Sequence, residues 1–159
     1  IFNRPKKISG SKISDEVILN HALLKTEKII NENFDVVVSL PPTSPLRDVK
    51  DVTLCIKKLI DKKFDTVWTI SRTDKKYHPF KALVVKKNNL YFHSKYGKKI
   101  KYRQQLNDTF FRNGACYAFS RKSIIKREIL SNNSGFIISK NNQISIDDFN
   151  DLKTAESLF

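Results

Sequence analysis

The apolar positions of this chain change their spacing several times, and each change marks an element. Residues 14–31 carry Val17, Ile18, Leu24 and Ile29 at helical spacing behind Ser14, a residue suited to the N-cap. Asp15 and Glu16 follow it, where the helix dipole favours carboxylates, and Leu24 and Ile29 are expected to face the core. Val36, Val37 and Val38 form an unbroken β-branched run, the pattern of a strand buried on both faces of a parallel sheet. Pro41, Pro42 and Pro45 end it, because proline cannot donate to a ladder. In residues 49–63, Val52, Cys55, Ile56, Leu59 and Ile60 share one helical face, with Lys57, Lys58, Asp61 and Lys62 toward water. Residues 65–71 read as a second strand.

The second half has shorter periods. Residues 81–87 and 90–94 are two strands joined at Asn88-Asn89, residues that tolerate positive φ, which predicts a hairpin. Residues 112–120 read as a strand in which Gly114 permits close backbone approach. A short helix over 123–130, a short strand over 135–139 and a last helix over 149–159 complete the chain, the last burying Leu152, Ala155 and Leu158. The order strand, helix, strand predicts a right-handed crossover and a parallel strand pair. The whole reads as one α/β domain over residues 1–159, with a mostly parallel sheet and a hairpin extension suited to a lid or a dimer contact.

Charge changes this picture less than its size suggests. Thirty Lys and Arg against 16 Asp and Glu give a net charge of +14. The lysines are scattered and accompany abundant Asn and Ile, all residues with AT-rich codons, which argues against nucleic acid as the partner and leaves room for a small anionic substrate. No run approaches the roughly 20 apolar residues of a membrane span. Cys55 and Cys116 lie far apart inside apolar segments, as buried reduced thiols of a cytoplasmic protein do. The chain starts at Ile1 and holds no methionine, so a lost or omitted N-terminal segment is expected.

Candidate chemistry clusters after the strands. Thr43 and Ser44 stand in the loop at the first strand's carboxyl end, which is either an ordinary proline-rich turn or the crevice where open α/β sheets bind ligands. His78, Lys81, Arg103, Gln104, Gln105, Arg112 and Asn113 are polar groups in or beside loops. Asp147 and Asp148 precede the last helix, either as its cap or as ligands of Mg²⁺. His21 reads as a packed histidine before it reads as a ligand, and Trp68 as a core filler before a stacking platform. The basic stretch 95–103 is a solvated, mobile loop or the lining of a phosphate site.

Five segments in order carry a family resemblance: SLPPTSPLR (39–47), HPFK (78–81), RQQL (103–106), NGACY (113–117) and IDDFNDLKTAESL (146–158). With the opening RPKKIS and Ser14-Asp15, they resemble the acylneuraminate cytidylyltransferases, the CMP-sialic acid synthetase family, over essentially the whole chain. The resemblance implies a Rossmann-like nucleotide-diphospho-sugar transferase fold with a dimerisation hairpin. It also implies a homodimer and, with Mg²⁺ as cofactor, transfer of CMP from CTP to a 2-keto sugar acid with release of pyrophosphate. Asp147 matches the family's metal-binding aspartate, with Asp148 beside it. Lys81 and Arg103 match cationic positions, catalytic with Asp147. Thr43, Ser44, Gln104, Arg112, Asn113, Tyr117 and Phe136 match positions around the substrates. Related enzymes for 3-deoxy-octulosonate and pseudaminic acid share parts of these motifs, and a non-catalytic sugar-nucleotide-binding module is the other reading. Three departures stand out. The family's phosphate-cradling loop is expected before Ile1, Ser145 stands where an acidic residue is usual, and Pro41 replaces a glutamine.

Overall fold

The computed structural model describes residues 2–140 and 144–158. After a 3-10 turn at Lys6–Ile8 comes helix α1 (Asp15–Ile30), whose N-cap is Ser14 and whose C-cap Asn31 takes the left-handed conformation (φ 60°) that asparagine tolerates. Strand β1 (Val36–Ser39) follows, then helix α2 (Val49–Asp61), capped where the Asp48 carboxylate accepts from the Lys50 N–H at 2.8 Å. Strand β2 (Thr66–Arg72) leads into an excursion built from 3-10 turns and a hairpin, β3 (Leu83–Lys86) and β4 (Asn89–Phe92). The long strand β5 (Phe110–Ser120), helix α3 (Arg121–Lys126), strand β6 (Ser134–Ile138) and helix α4 (Phe149–Glu156) complete the chain. The last helix as read from the sequence reaches residue 159, which lies outside the described residues.

The main sheet has the order β1-β5-β2-β6. β5 lies between β1 and β2 and runs antiparallel to both, while β2 and β6 are parallel. This corrects the mostly parallel sheet and the adjacent β1/β2 pair expected from strand–helix–strand order. β1, β2 and β6 do point the same way, but β5, later in sequence than both β1 and β2, enters from the opposite end and separates them. β1 is therefore an edge strand among the described residues, half-buried along its length instead of buried on both faces.

Alternation along β5 builds two cores. Cys116 and Ala118 pack with Cys55, Leu59 and Val67 beneath α2, joined by Val36 and Val38. Phe119 packs with Leu23 and Ile124 on the other face, joined by Val37 and Tyr117. Small side chains on the α2 side let that helix approach closely, which is why both cysteines are fully buried and free. The Cys116 thiol beside it, together with burial, pushes the Cys55 thiol above its ordinary range.

The inward face of α1 is Leu23 and Glu27, not Leu24 and Ile29, which stand 45% and 55% exposed. The reason is an ion pair. Arg121 donates to Glu27 through Nε at 2.8 Å and a second guanidinium nitrogen at 3.0 Å, and the Phe34 N–H donates to the same carboxylate at 3.1 Å. One carboxylate thus fastens α1 to the start of the β1 segment and to α3, and it turns the helix by one residue from the orientation its apolar pattern suggests. His21, by contrast, rests edge-on against Phe2, with ring centroids 5.8 Å apart, in the packing role.

The hairpin turn carries positive φ at Lys87 and Asn88, one residue earlier than Asn88-Asn89, so Asn89 begins β4. The basic stretch after it is ordered, not a free loop. Residues 95–99 and 103–105 are 3-10 turns, and Gly97 is buried where a Cβ would lie 2.3 Å from the Phe80 carbonyl oxygen. Leu152 and Leu158 at the chain's end are exposed, leaving Ala155 as the buried anchor of α4. No helix among the described residues is long and apolar enough to cross a membrane.

Arg121 holds the Glu27 carboxyl below the usual carboxylate range. A depressed folded-state value adds stability that is present above the unfolded value, about 4.3, and is lost as pH falls through the folded one. Glu27→Gln is expected to melt below the native protein at pH 7, with the difference closing toward pH 3. Melting curves across that range check it, and an equal gap at both ends would remove the ion pair as its source.

Candidate active site

The site begins with a mismatch in strand length. Trp68 pairs with Tyr117 and Ile70 with Arg112, so Thr69 alone faces Asn113, Gly114, Ala115 and Cys116. Side chains repair the interrupted ladder. The Thr69 hydroxyl donates to the Cys116 carbonyl at 3.0 Å and accepts from the Cys116 N–H at 2.9 Å. The Asn113 amide donates to the hydroxyls of Ser71 at 3.0 Å and Ser139 at 2.9 Å, and its oxygen accepts from the Ala115 N–H at 3.1 Å. Asn113 is thereby a fastener that ties β5 to the ends of β2 and β6, a use its place in the NGACY motif does not reveal.

At the crest of the bulge Gly114 takes φ +75°. A Cβ there would lie 2.7 Å from the hydroxyl of Ser44, which is fully buried and makes no hydrogen bond in the described structure. The proline-rich turn after β1 thus sits on the bulge. Its shape is held from within: the Ser44 N–H donates to the Pro41 carbonyl at 3.2 Å, and Arg47 donates to the carbonyls of Ser44 (3.1 Å) and Pro41. The Thr43 carbonyl then accepts from the Ile146 N–H at 2.8 Å, which draws the segment before α4 against the turn and brings Asp147 to the sheet's edge.

A cleft opens at this edge, outside the carboxyl ends of β1 and β2, in two adjoining lobes. The polar lobe, about 510 Å³, is lined by residues that include Thr43, Arg112, Asn113, Tyr117, Ser145 and Asp147. The apolar lobe, about 260 Å³, is lined by Ile18 and Leu19 of α1, Pro42, Trp68, Phe119 and Ile129, with Arg4 and Ser39 beside them. Asp15, Pro41, Arg112 and Tyr117 border both and mark the waist between them. Trp68 and Tyr117, cross-strand partners, meet edge to face with centroids 5.3 Å apart. Desolvation raises the Tyr117 phenol above its ordinary value.

Five of the residues singled out from sequence therefore converge: Thr43, Arg112, Asn113, Tyr117 and Asp147. Ser44 lies beneath them in the turn's seat. Lys81 and Arg103 line a separate pocket of about 340 Å³ under the hairpin, bordered by Phe92, Gly97 and Leu106, which shares no residue with the cleft. Gln104 is exposed in the neighbouring 3-10 turn. Phe136 stands on edge strand β6, with the Lys58 ammonium 4.8 Å from its ring centroid, and lines neither lobe.

Arg4, Asp15 and Trp68 line the cleft without having been chosen as site residues. The opening RPKKIS and Ser14-Asp15 already belonged to the family resemblance, so a signal for the first two was present. Trp68 had none, because a tryptophan inside a strand reads as core.

The two aspartates divide their work. The Asp148 carboxylate caps α4, accepting from the N–H groups of Asn150 at 2.7 Å and Asp151 at 2.9 Å, while the Asp151 carboxylate accepts from the Asp147 and Asp148 N–H groups. Asp147 is left as the exposed carboxylate facing the polar lobe. Among the described residues no three of His, Cys, Asp and Glu gather to hold a metal alone. Mg²⁺ commonly takes one or two carboxylates and completes its shell with water and substrate phosphates, so Asp147 fits a cation that arrives with a phosphorylated ligand.

No family model matches the chain. It is 22% identical over 159 residues to "Post-translational flagellin modification protein B" of Campylobacter coli. The match takes in 99% of this chain and 66% of the length of that protein. The chain has an α/β fold with a mixed sheet and a two-lobed cleft at the strands' carboxyl edge.

Thr69→Val keeps the shape but leaves both Cys116 backbone groups unpaired in the buried bulge. It is expected to cost about 2–3 kcal/mol in urea unfolding; a loss under about 0.5 kcal/mol would mean that the ladder does not rest on this hydroxyl.

Proposed function

We propose that this chain carries the sugar-acid side of a cytidylyltransferase, which transfers CMP from CTP to the anomeric hydroxyl of a 2-keto sugar acid and releases pyrophosphate. The observation that carries the reading is the convergence of Thr43, Tyr117 and Asp147, each in a motif of the resemblance, on one cleft with Arg112 beside them. A relative whose name places it in flagellin modification is compatible with it. The sugar acid and CTP are both anionic, and Arg112 offers the sugar carboxylate a fork of donors.

In the reaction the anomeric oxygen forms a bond to the α-phosphorus of CTP, and the bond from that phosphorus to the bridging oxygen breaks. Its electron pair leaves with pyrophosphate. Thr43 and Tyr117 orient the sugar's oxygens, and the hydroxyl's proton is released to solvent as the new bond forms. Positioning of this kind supplies most of the barrier reduction in phosphoryl-type transfer. Asp147 would hold a Mg²⁺ ion arriving with the phosphates, and the ion would supply charge neutralisation at the reacting centre.

Lys81 and Arg103 enter this scheme through a second copy of the chain. Their pocket is separate from the cleft, and the hairpin above it exposes an apolar face, with Val85 71% and Leu90 64% exposed. Two strands alone are marginally stable in water, so such a face favours a covering partner, here a homodimer that brings the two cations to the neighbouring cleft. A non-catalytic sugar-nucleotide-binding module is the second reading, favoured by the commitment of Asp148 to its helix cap.

Three outcomes follow, each for the protein expressed from its complete reading frame. CTP with Mg²⁺ raises the melting temperature and ATP does so much less; equal shifts from all four nucleotides would sink the cytidine assignment. Asp147→Asn lowers turnover by about 100-fold or more, the size expected for losing charge stabilisation at a reacting centre, and unchanged turnover removes the role. The double substitution Val85→Lys and Leu90→Lys yields monomers by light scattering, with activity lost; a persisting dimer would place the interface elsewhere.

A further inference from the structure

The positive charge of the chain is concentrated in the excursion between β2 and β5. Residues 75–103 hold ten of the 30 Lys and Arg and none of the 16 Asp and Glu, so this stretch carries +10 of the net +14. Eight of the ten are exposed, all but Lys75 and Lys81. Among the described ion pairs only Lys76 of this set has a carboxylate, that of Asp74 at 3.6 Å. Four of the chain's five tyrosines stand among these cations: Tyr77, Tyr91, Tyr96 and Tyr102, each at least 50% exposed.

The fold holds these groups in one body. Gly97 is packed where a Cβ would meet the Phe80 carbonyl oxygen and the Phe92 ring, and the Ala82 carbonyl accepts from the His93 N–H at 2.9 Å. The Gln105 side-chain oxygen accepts from the N–H groups of Lys101 at 2.8 Å and Tyr102 at 3.0 Å. Cations set on such a scaffold cannot spread far to relieve their repulsion, which favours an anionic partner.

Single-stranded nucleic acid and an anionic bilayer both offer dense negative charge, and the tyrosines choose between them. A single strand is held by bases stacked on open aromatic faces. Here the Lys76 ammonium lies 4.8 Å from the Tyr77 ring centroid, and Tyr96 has the Lys99 ammonium at 5.9 Å and the Phe80 ring at 5.6 Å. The protein's own groups engage those rings. Exposed tyrosines between lysines suit the headgroup region of a bilayer, where an amphipathic ring and a cation sit at the same depth. Lys86 and Tyr91 share the face of the hairpin opposite Val85 and Leu90, so they stay free when a second copy covers the apolar face.

We propose that the excursion is a peripheral docking surface for an anionic lipid bilayer, with Lys86, Lys87, Lys95 and Lys98 against the headgroup phosphates and the exposed tyrosines at headgroup depth. Such docking goes beyond the cytidylyltransferase reading and does not depend on it. Each Lys or Arg close to an anionic bilayer adds about fivefold in affinity, and the attraction fades within about 8 Å at physiological salt.

Flotation of the protein from its complete reading frame with two kinds of vesicle tests this, one of phosphatidylcholine and one of phosphatidylcholine mixed with phosphatidylglycerol. Binding to the mixed vesicles is expected to be at least about tenfold tighter and to weaken as salt is raised. The combined substitutions Lys86→Gln, Lys87→Gln, Lys95→Gln and Lys98→Gln are expected to weaken it by about 100-fold or more, with the melting temperature unchanged. A matched control, Lys25→Gln, Lys28→Gln, Lys57→Gln and Lys62→Gln, removes the same charge from exposed positions outside the excursion. It is expected to stay within about threefold of the native protein. Equal affinity for the two vesicles, or equal losses in the two variants, would overturn the proposal. So would a single-stranded oligonucleotide that binds more tightly than the mixed vesicles and is lost with the same four lysines, because it assigns the surface to nucleic acid. If the excursion variant does not fold, the two-vesicle comparison on the unaltered protein and the matched control decides the matter.

Discussion

The structure depends on how β5 crosses the sheet. It runs antiparallel between two strands that point the other way, and midway it spends four residues against one of β2. That surplus has to bend out of the ladder, and the Thr69 hydroxyl and the Asn113 side-chain oxygen take over backbone bonds it gives up. Gly114 leaves the hollow in which Ser44 sits. With Ser44 seated, the proline turn has one position, Thr43 captures the segment before α4, and Asp147 arrives at the cleft. The candidate site is a consequence of one register slip, repaired by side chains that are mostly unavailable to a ligand.

Packing around this strand is asymmetric. On the α2 side, Ala and Cys at alternating positions allow a helix to lie close. On the other side aromatic and aliphatic groups meet α1 and α3, and Glu27 with Arg121 supplies the polar clamp. The edge of β6, open among the described residues, is guarded differently: the Lys58 ammonium donates to the Phe136 carbonyl at 2.8 Å and lies 4.8 Å from its ring centroid, a cation where an open edge would otherwise invite another strand. The hairpin excursion has its own small core, in which His78 and Phe80 meet edge to face and the His78 Nδ1 accepts from the Phe80 N–H at 3.1 Å. It leans on the main sheet little, which is why its cations collect around a pocket of their own.

Where local pattern and local chemistry coincided, the sequence was a sufficient guide. The β-branched run of β1, the Ser14 and Asn31 boundaries of α1 and the α2 face at Cys55 and Leu59 needed no distant information, although Ile60, read onto that face, is 58% exposed and Asp51 is buried in its place. It misled where a polar residue did the work of an apolar one. Glu27 occupies the buried stripe of α1, so apolar counting chose Leu24 and Ile29 instead. It also could not divide the neighbours Asp147 and Asp148, because both satisfy cap and ligand alike until the backbone direction into α4 is known.

By itself, then, the sequence determined which segments are helix and strand, that the chain is an α/β protein, and that polar groups gather after the strands, because periodicity and proline or glycine punctuation act within a few residues. Only the tertiary structure decided that β5 separates β1 from β2, that Arg112 and Asp147 share a cleft while Lys81 and Arg103 do not, and that Asn113 is a fastener. Those outcomes rest on hydrogen bonds between residues tens of positions apart, such as Thr69 with Cys116 and Asn113 with Ser71. A one-dimensional pattern carries no term for them.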